Sequence, residues 1–121
     1  MHVARWIIFA LSLFQGVWLV FDGVRALTVG DYVTATSGPW AGQLGPWSKI
    51  VSAVGLNPRG TPVKLLHVFC GAGWLIAAVC VAANVSCARW VALTFGLCTL
   101  WYLPIGTAGS AVVLFLLWYF R

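Results

Sequence analysis

The sequence contains no glutamate, and Asp22 and Asp31 are its only acidic side chains among 121 residues. Charged residues make up 7% of the chain, whereas hydrophobic residues make up 62%, and the mean hydropathy is +0.97. A soluble domain of this length needs a polar surface that so few charges cannot provide. The composition therefore excludes an ordinary soluble globular domain and predicts a single membrane domain over residues 1–121.

Paired cysteine motifs are also missing. The four cysteines include no C-x-x-C, and no histidine stands at a spacing typical of a zinc site. Each cysteine lies in or at the edge of an apolar run, where a free thiol behaves as a small hydrophobic group. The sequence therefore predicts no metal site and argues against a thiol–disulfide enzyme. The four residues are Cys70, Cys80, Cys87 and Cys98.

Basic residues outnumber acidic ones and give the chain a net charge of +5. They form no cluster of the kind that binds nucleic acid. Most of them stand where a membrane-spanning segment should end, a position that favours contact with anionic lipid headgroups. The sequence therefore predicts membrane lipids, and no nucleic acid, among its partners. The basic residues are Arg5, Arg25, Lys49, Arg59, Lys64, Arg89 and Arg121.

Four apolar segments predict an all-α fold, an integral membrane four-helix bundle. The first is too long for the apolar part of a signal peptide, so we expect it to be retained as a span. Its small and polar residues, among them Gln15 and Asp22, recur at helical spacing on one face, which should turn toward the other helices. The third and fourth segments are short, and their connecting turn carries no charge. The predicted spans are about 4–27, 62–84, 88–104 and 107–120.

The long polar interval at 28–61 contains Gly-Pro-Trp twice. The second copy predicts a short helix at about 46–55, because Pro46 suits a first helical position and apolar residues follow at helical spacing. Ten residues cannot span a membrane, so this helix should lie in the interface with Trp47 at headgroup level. The interval is a candidate lid over the helix ends. Its lid candidates are Trp40, Gln43 and Trp47.

Polar residues of different spans are predicted to lie at one membrane depth beneath this interval. Asp22 stands near the end of the first span and His67 near the start of the second, so both lie on the loop side. Tyr102 and Thr107 approach that level from the third and fourth spans. Such a group could hold a polar ligand head or pass protons. Alternatively, Asp22 pairs only with Arg25, and His67 hydrogen-bonds a neighbouring helix.

Gln15 lies deeper in the first span than the other polar candidates. An amide at that depth suits an interhelical hydrogen bond, although a ligand contact is the second interpretation. Counting Lys and Arg in the shortest connections places both termini in the cytoplasm of a bacterial plasma membrane.

Three stretches resemble the DoxX-like family of small four-helix membrane proteins. They are Leu-Val-Phe-Asp-Gly-Val-Arg-Ala-Leu at 19–27, Val-Gly-Leu-Asn-Pro at 54–58 and Ala-Arg-Trp-Val-Ala-Leu at 88–93. The resemblance implies a membrane protein linked to quinone or thiol redox systems. Many members carry an acidic residue early in the second helix, where this chain has His67 as its nearest polar group.

These observations predict a subunit or accessory protein with a polar pocket for a quinone or lipid-like ligand under the first loop. The cofactor is not identified by the sequence, although a quinone is one candidate, and no catalytic motif favours an enzyme. A purely structural subunit of a larger membrane complex is the alternative, and a homo-oligomer fits either hypothesis. A small proton-coupled transporter fits the length, but Gln15 replaces the acid that such proteins need in the first helix.

Overall fold

The computed structural model describes residues 2–32, 44, 46–102 and 105–119. These residues form five α-helices and contain no β-strand, in agreement with the predicted all-α class. The helices are α1 (His2–Val29), α2 (Trp47–Ala53), α3 (Thr61–Ala83), α4 (Ala88–Cys98) and α5 (Ile105–Tyr119).

The four longer helices close a cycle of contacts. Helix α1 packs along α3, α3 on α4, α4 on α5, and α5 returns to α1. Helices α1 and α3 run antiparallel, since a guanidinium N–H of Arg5 near the start of α1 donates to the carbonyl of Ala82 at the end of α3 (3.3 Å). The core lies inside this cycle, and Trp74 is its largest fully buried side chain.

Glycine allows the backbones of α1 and α3 to approach each other closely. A Cβ atom at Gly71 would lie 2.6 Å from the backbone nitrogen of Val20, and one at Gly16 would lie 2.9 Å from that of Leu75. No side chain larger than hydrogen fits at these two positions without moving the neighbouring backbone. The small residues noted in the sequence therefore mark the closest helix–helix contact.

Among the described residues, two helices are long and apolar enough to cross a membrane, whereas the sequence predicted four spans. Residues 3–29 of α1 and the whole of α3 pass this test. Helix α4 has 11 residues and α5 has 15. At 1.5 Å per residue these helices rise only about 16 and about 22 Å, short of the roughly 30 Å of a hydrocarbon core.

Several predicted helix ends differ from the observed ones. The third span was expected to reach residue 104, but α4 ends at Cys98, and the chain turns through Thr99 and Leu100. Thr61 was expected to cap α3, but it is the first helical residue, and the N-cap is Gly60 without a side-chain hydrogen bond. The shift at Thr61 is within the usual variation of helix ends, where backbone groups have alternative partners. The shift at the end of α4 exceeds one helical turn.

Helix α2 is shorter than predicted, and only part of its apolar face is covered. Trp47 and Val51 are buried, whereas Ile50 is 37% exposed and Val54 is 71% exposed. The helix therefore contacts the core through two side chains one turn apart. Trp47 was expected at headgroup level, but it is 4% exposed and enters the interior instead.

Candidate functional site

His67 lies in the second turn of α3 and is 0% exposed. Its Nδ1 atom is 2.9 Å from the carbonyl oxygen of Val63. Because a carbonyl can only accept, we infer that Nδ1 carries the proton and that Nε2 of the neutral ring is an acceptor. Nε2 is buried and has no hydrogen-bond partner in the part of the chain that the structure describes. The structure therefore presents one unpartnered acceptor at the centre of this end of the molecule.

Four aromatic side chains surround the His67 imidazole, and we call this group the aromatic enclosure. Ring centroids lie 4.6 Å away for Trp47 and 4.7 Å away for Tyr32. Those of Trp101 and Tyr102 both lie 5.3 Å away, with interplanar angles of 79° and 90°. Edge-to-face contacts of this kind are favourable, so the rings hold the imidazole from several sides. The enclosure comprises Tyr32, Trp47, Trp101 and Tyr102 around His67.

The enclosure combines residues from four separate parts of the chain. Tyr32 follows α1, Trp47 begins α2, His67 belongs to α3, and Trp101 and Tyr102 form the turn between α4 and α5. Trp47 also contacts the rings of Trp101 and Tyr102, at 5.9 and 5.8 Å. Helix α2 therefore covers the α4–α5 turn as well as His67.

Tyr32 is fixed by hydrogen bonds at both of its polar ends. Its hydroxyl donates to the carbonyl of Pro58 (2.8 Å), and its own carbonyl accepts from Arg25 (2.8 Å). Burial, followed by the negative charges of Asp22 and Asp31, raises the pKa of the Tyr32 phenol above its ordinary value. The phenol is therefore a neutral donor at physiological pH.

A layer of charged residues lies outside the aromatic enclosure. The Arg59 guanidinium is 3.0 Å from the Asp31 carboxylate, and both side chains are partly exposed. Partial burial opposes ionisation of Asp31, but hydrogen bonds from Arg59 and from the Tyr32 backbone N–H, with the charges of Arg59 and Lys64, lower its pKa. The ammonium of Lys64 donates to the carbonyl of Gly30 (3.3 Å). These contacts tie the end of α1 to the start of α3.

Asp22 is a buried carboxylate of α1 near two tyrosines of the enclosure. Its side chain is 3% exposed, and its charge acts on the phenols of both Tyr32 and Tyr102. The next residue, Gly23, packs directly on α3, because a Cβ atom there would lie 3.0 Å from the Cβ of His67. The structure thus brings Asp22, His67 and Tyr102 into one neighbourhood.

Tyr102 and Trp101 have different polar surroundings. The Tyr102 hydroxyl accepts a hydrogen bond from the indole N–H of Trp18 on α1 (2.8 Å). The indole N–H of Trp101 is buried near the Cys70 thiol and has no hydrogen-bond partner among the described residues. The enclosure therefore contains an unpartnered donor, from Trp101, as well as the unpartnered acceptor of His67.

Gln15 lies apart from the enclosure, deeper among the helices. It packs against α5, because a Cβ atom at Gly109 would lie 2.9 Å from its amide carbon. Gln15, Ser12 and Ser110 are at most 2% exposed, and their side-chain oxygen and nitrogen atoms have no hydrogen-bond partner. We call these three residues the polar seam. The expected interhelical hydrogen bond of Gln15 is absent among the described residues.

Thr107 does not join the enclosure. Its hydroxyl donates to the carbonyl of Leu100 and so closes the turn between α4 and α5. Of the three lid candidates, Trp47 is part of the enclosure, whereas Trp40 and Gln43 lie outside the described residues.

The sequence did not single out Tyr32. It lies outside the apolar segments. Only its place between Asp31 and a polar stretch could have indicated that it lies near the ends of the helices. Trp74 lies outside the enclosure, because its indole N–H donates to Thr99 (2.9 Å) in the core.

An open groove of about 480 Å³ lies on the outward face of α1, lined by apolar residues including Phe14 and Phe21. It is separate from His67, whose surroundings are filled by rings. A ligand would therefore reach Nε2 of His67 only after one of those rings moves. Trp47 is the ring carried by the shortest described helix.

His67 is the one imidazole among the residues of the enclosure. The described residues contain no group of three or more His, Cys, Asp or Glu side chains that could hold a metal ion. The enclosure can therefore present to a ligand one buried acceptor, one buried donor and the flat faces of aromatic rings. Comparisons of the chain with protein-family models, with curated proteins and with solved structures found no match.

Proposed function

We propose that this protein is a small integral membrane four-helix bundle that binds a quinone-like ligand in the aromatic enclosure around His67. Membership of the DoxX-like family stays a prediction from the three short stretches quoted above. The ligand would enter from the loop side, beneath α2. An accessory or subunit role, rather than an independent catalytic one, accords with a site that contains a single neutral imidazole.

The outward faces of the two long helices support membrane insertion. Only 39% of the most apolar window in α1 and 44% of that in α3 is buried, although both windows are almost uncharged. Phe14 and Phe21 on α1 are 54% and 55% exposed, and Phe69 on α3 is 61% exposed. A core helix of a soluble protein would bury such residues, whereas lipid tails can cover them.

The single observation that carries the ligand proposal is the pair of unpartnered polar atoms in the enclosure. Nε2 of His67 accepts, and Nε1 of Trp101 donates, and both are buried without a partner. Buried polar groups are rarely left unpaired, and each costs roughly 1–3 kcal/mol when it is. A bound group that both donates and accepts would satisfy both atoms.

A hydroxylated or carbonyl-bearing aromatic ring fits these requirements. A hydroquinone hydroxyl can donate to His67 Nε2 while its oxygen accepts from Trp101. The oxidised quinone carbonyl can only accept, so it would bond to Trp101 and leave His67 unpaired. The enclosure should therefore prefer the reduced ring, and the aromatic walls would pack on its faces.

Helix α2 supports the proposal because it could act as the movable wall. It is attached through Trp47 and Val51, while Ile50 and Val54 are exposed. Displacing Trp47 would expose His67 and leave space for one ring. Displacement of Trp47 does not require the contact between Asp31 and Arg59 to break.

The experiment is a thermal-stability titration of the purified protein in lipid nanodiscs with a short-chain benzoquinol. A ligand that binds only the folded state adds about 2.7 kcal/mol of stability at a concentration of 100 Kd. We expect the Tm of the parent protein to rise with quinol and to rise less with the matching quinone. His67→Phe keeps a ring but removes the acceptor, and Trp101→Phe removes the donor, so both should lose the shift.

Trp90→Phe is the matched control, because Trp90 is 64% exposed on α4, away from the enclosure. It should respond to quinol like the parent protein. An equal Tm shift in parent, His67→Phe and Trp101→Phe would mean that the ligand binds elsewhere. Absence of any shift in the folded parent protein would reject the proposed ligand class.

A purely structural subunit is the second candidate, and the shortness of α4 and α5 favours it. These helices cannot reach across the hydrocarbon core alone, and their outer faces carry exposed aromatic residues such as Trp90 and Trp118. A neighbouring subunit could cover that side. Affinity purification from native membranes would support this role if a stoichiometric protein partner is recovered without bound quinone.

A further inference from the structure

The turn between α3 and α4 lies at the opposite end of the molecule from the aromatic enclosure. Helix α3 ends at Ala83, and its C-cap Asn84 adopts a left-handed conformation with φ of 56°. The backbone N–H of Val85 then donates to the carbonyl of Cys80 (3.2 Å), a pattern that reverses the chain after a helix. Cys87 follows as the N-cap of α4. The reversal therefore returns Cys87 to the last turn of α3, where Cys80 lies.

Cys80 and Cys87 lie on the two sides of this reversal, and the Cys87 thiol is near enough to act electrostatically on the Cys80 thiol. Both are free, with Cys80 half-buried and Cys87 exposed. Seven residues separate them in the sequence, so no C-x-x-C pattern reveals the pair. The helix-terminating turn, rather than sequence spacing, brings them together.

The other two cysteines differ from this pair. Cys70 is 0% exposed, and its thiol contacts the carbonyl of Cys98 (3.9 Å) inside the packed helices. A buried thiol in apolar surroundings is inert, because reagents cannot reach it and the thiolate is disfavoured. Cys98 is exposed at the end of α4, far from the α3–α4 turn. Cys70 therefore serves as the buried control for the accessible pair.

Positive charge surrounds the α3–α4 turn. Arg5 donates to the carbonyl of Ala82 at the end of α3, and Arg89 follows Cys87 by two residues in α4. Both aspartates of the chain lie at the other end, near the enclosure. Positive charge at this end of the molecule attracts anionic reaction partners.

We propose that Cys80 and Cys87 form a redox site that exchanges thiol and disulfide with a small anionic disulfide. The exposed Cys87 loses its proton and attacks one sulfur of the incoming disulfide, which forms a mixed disulfide and releases one thiolate. Cys80 then loses its proton and attacks the Cys87 sulfur, which forms the Cys80–Cys87 bond and releases the second thiolate. The two released thiolates take up the two protons, so two protein thiols are oxidised and one disulfide is reduced.

The redox site is independent of the proposed ligand site. His67 and Cys80 are 13 positions apart on the same helix, a rise of about 20 Å. Loss of ligand binding in His67→Phe should leave the thiol chemistry unchanged. Conversely, serine at Cys80 or Cys87 should leave the quinol-dependent Tm shift unchanged.

The experiment treats the reduced full-length protein in nanodiscs with glutathione disulfide, followed by alkylation, intact mass measurement and peptide mapping. We expect the chain to lose two hydrogen atoms in mass and to yield a peptide linked through Cys80 and Cys87. Cys80→Ser should stop at the mixed disulfide and carry glutathione on Cys87. Cys70→Ser should react like the parent protein. Cys98→Ser removes the other exposed thiol, so that its loss of two hydrogen atoms reports Cys80 and Cys87 alone.

Two outcomes would overturn the proposal. One is glutathione retained on Cys87 of the parent protein while Cys80 stays open to alkylation. The other is a disulfide that joins two chains. The preference for an anionic partner is tested by comparing oxidation rates with two disulfides. The rate with glutathione disulfide should fall with added salt and in Arg89→Gln, whereas the rate with neutral hydroxyethyl disulfide should not. Equal salt dependence of both rates would reject an anionic partner.

Discussion

The indole of Trp47 meets the imidazole of His67 edge to face, with 4.6 Å between the ring centroids and 70° between the planes. Trp47 belongs to a helix of seven residues, and His67 to one of 23. The contact therefore joins the smallest described element to one of the two largest. If it is the wall that opens for a ligand, its removal should expose His67 without dismantling the helices.

Trp47→Ala tests this relationship. We expect faster modification of His67 by diethyl pyrocarbonate, because the ring that covers the imidazole is gone. Truncation of a buried tryptophan also lowers stability, typically by about 3–5 kcal/mol. Peptide mapping after labelling reports the first effect, and thermal unfolding reports the second. Trp90→Ala, on an exposed face, should change neither, and unchanged His67 labelling in Trp47→Ala would exclude α2 as the lid.

Asp31→Asn tests the charged layer through its pH dependence. The folded-state pKa of Asp31 lies below the ordinary value of 3.8, so its contribution to stability is present above that value and disappears as the pH falls below it. The Tm difference between the parent protein and Asp31→Asn should therefore be small and positive at pH 7 and vanish in acid. It should also shrink with salt, since the pair with Arg59 is partly exposed. A difference that persists below the folded-state pKa would mean that the charge is not responsible.

Gln15→Leu tests whether the polar seam excludes bound water. Both amide atoms of Gln15 are buried without a partner, which costs roughly 1–3 kcal/mol per group. A leucine of similar size removes that cost, so the variant should unfold at a higher temperature than the parent protein. Ser110→Ala should act in the same direction with a smaller effect. Destabilisation of both variants would instead indicate bound water that bridges the seam.

Gly71→Ala tests the close contact between α1 and α3. The added methyl group would lie 2.6 Å from the backbone nitrogen of Val20, so the two helices must separate. Overpacking of this kind costs typically about 1–3 kcal/mol, which thermal unfolding can measure. Ala72→Ser, one position along on the exposed face of α3, is the matched control. A Gly71→Ala variant as stable as its control would show that the helices adjust freely.

Much of the architecture follows from local patterns in the sequence. Proline and glycine positions predicted the start of α3 within one residue and the short helix near Pro46, and apolar runs predicted α1 and α3 within a few residues. The C-terminal end of α4 could not be predicted from the sequence, because Thr99 to Tyr102 are as apolar as the helix before them. Their turn is stabilised by tertiary contacts, such as the Trp74–Thr99 hydrogen bond, that no local pattern encodes.

The candidate site was predictable only in part. Equal depth from the two helix ends placed Asp22 and His67 together, and Tyr102 followed from its place in the third segment. Tyr32 was missed because its role depends on the distant carbonyl of Pro58. The Cys80–Cys87 pair was missed because a search for C-x-x-C assumes one helical turn between the sulfurs, whereas a chain reversal separates these two.

The hydrogen bond from the Tyr32 hydroxyl to Pro58 and the ion pair of Asp31 with Arg59 have a consequence for protein engineering. They close the long connection between α1 and α3 at its base, so the helix pair does not depend on the length of chain in between. Each doubling of such a closed loop costs only about 0.6 kcal/mol of closure entropy. An epitope tag or fluorescent reporter inserted at Gly55, which is exposed and has no neighbouring atom within 4 Å of an added Cβ, should therefore be tolerated. It would reveal on which side of the membrane this end of the protein lies.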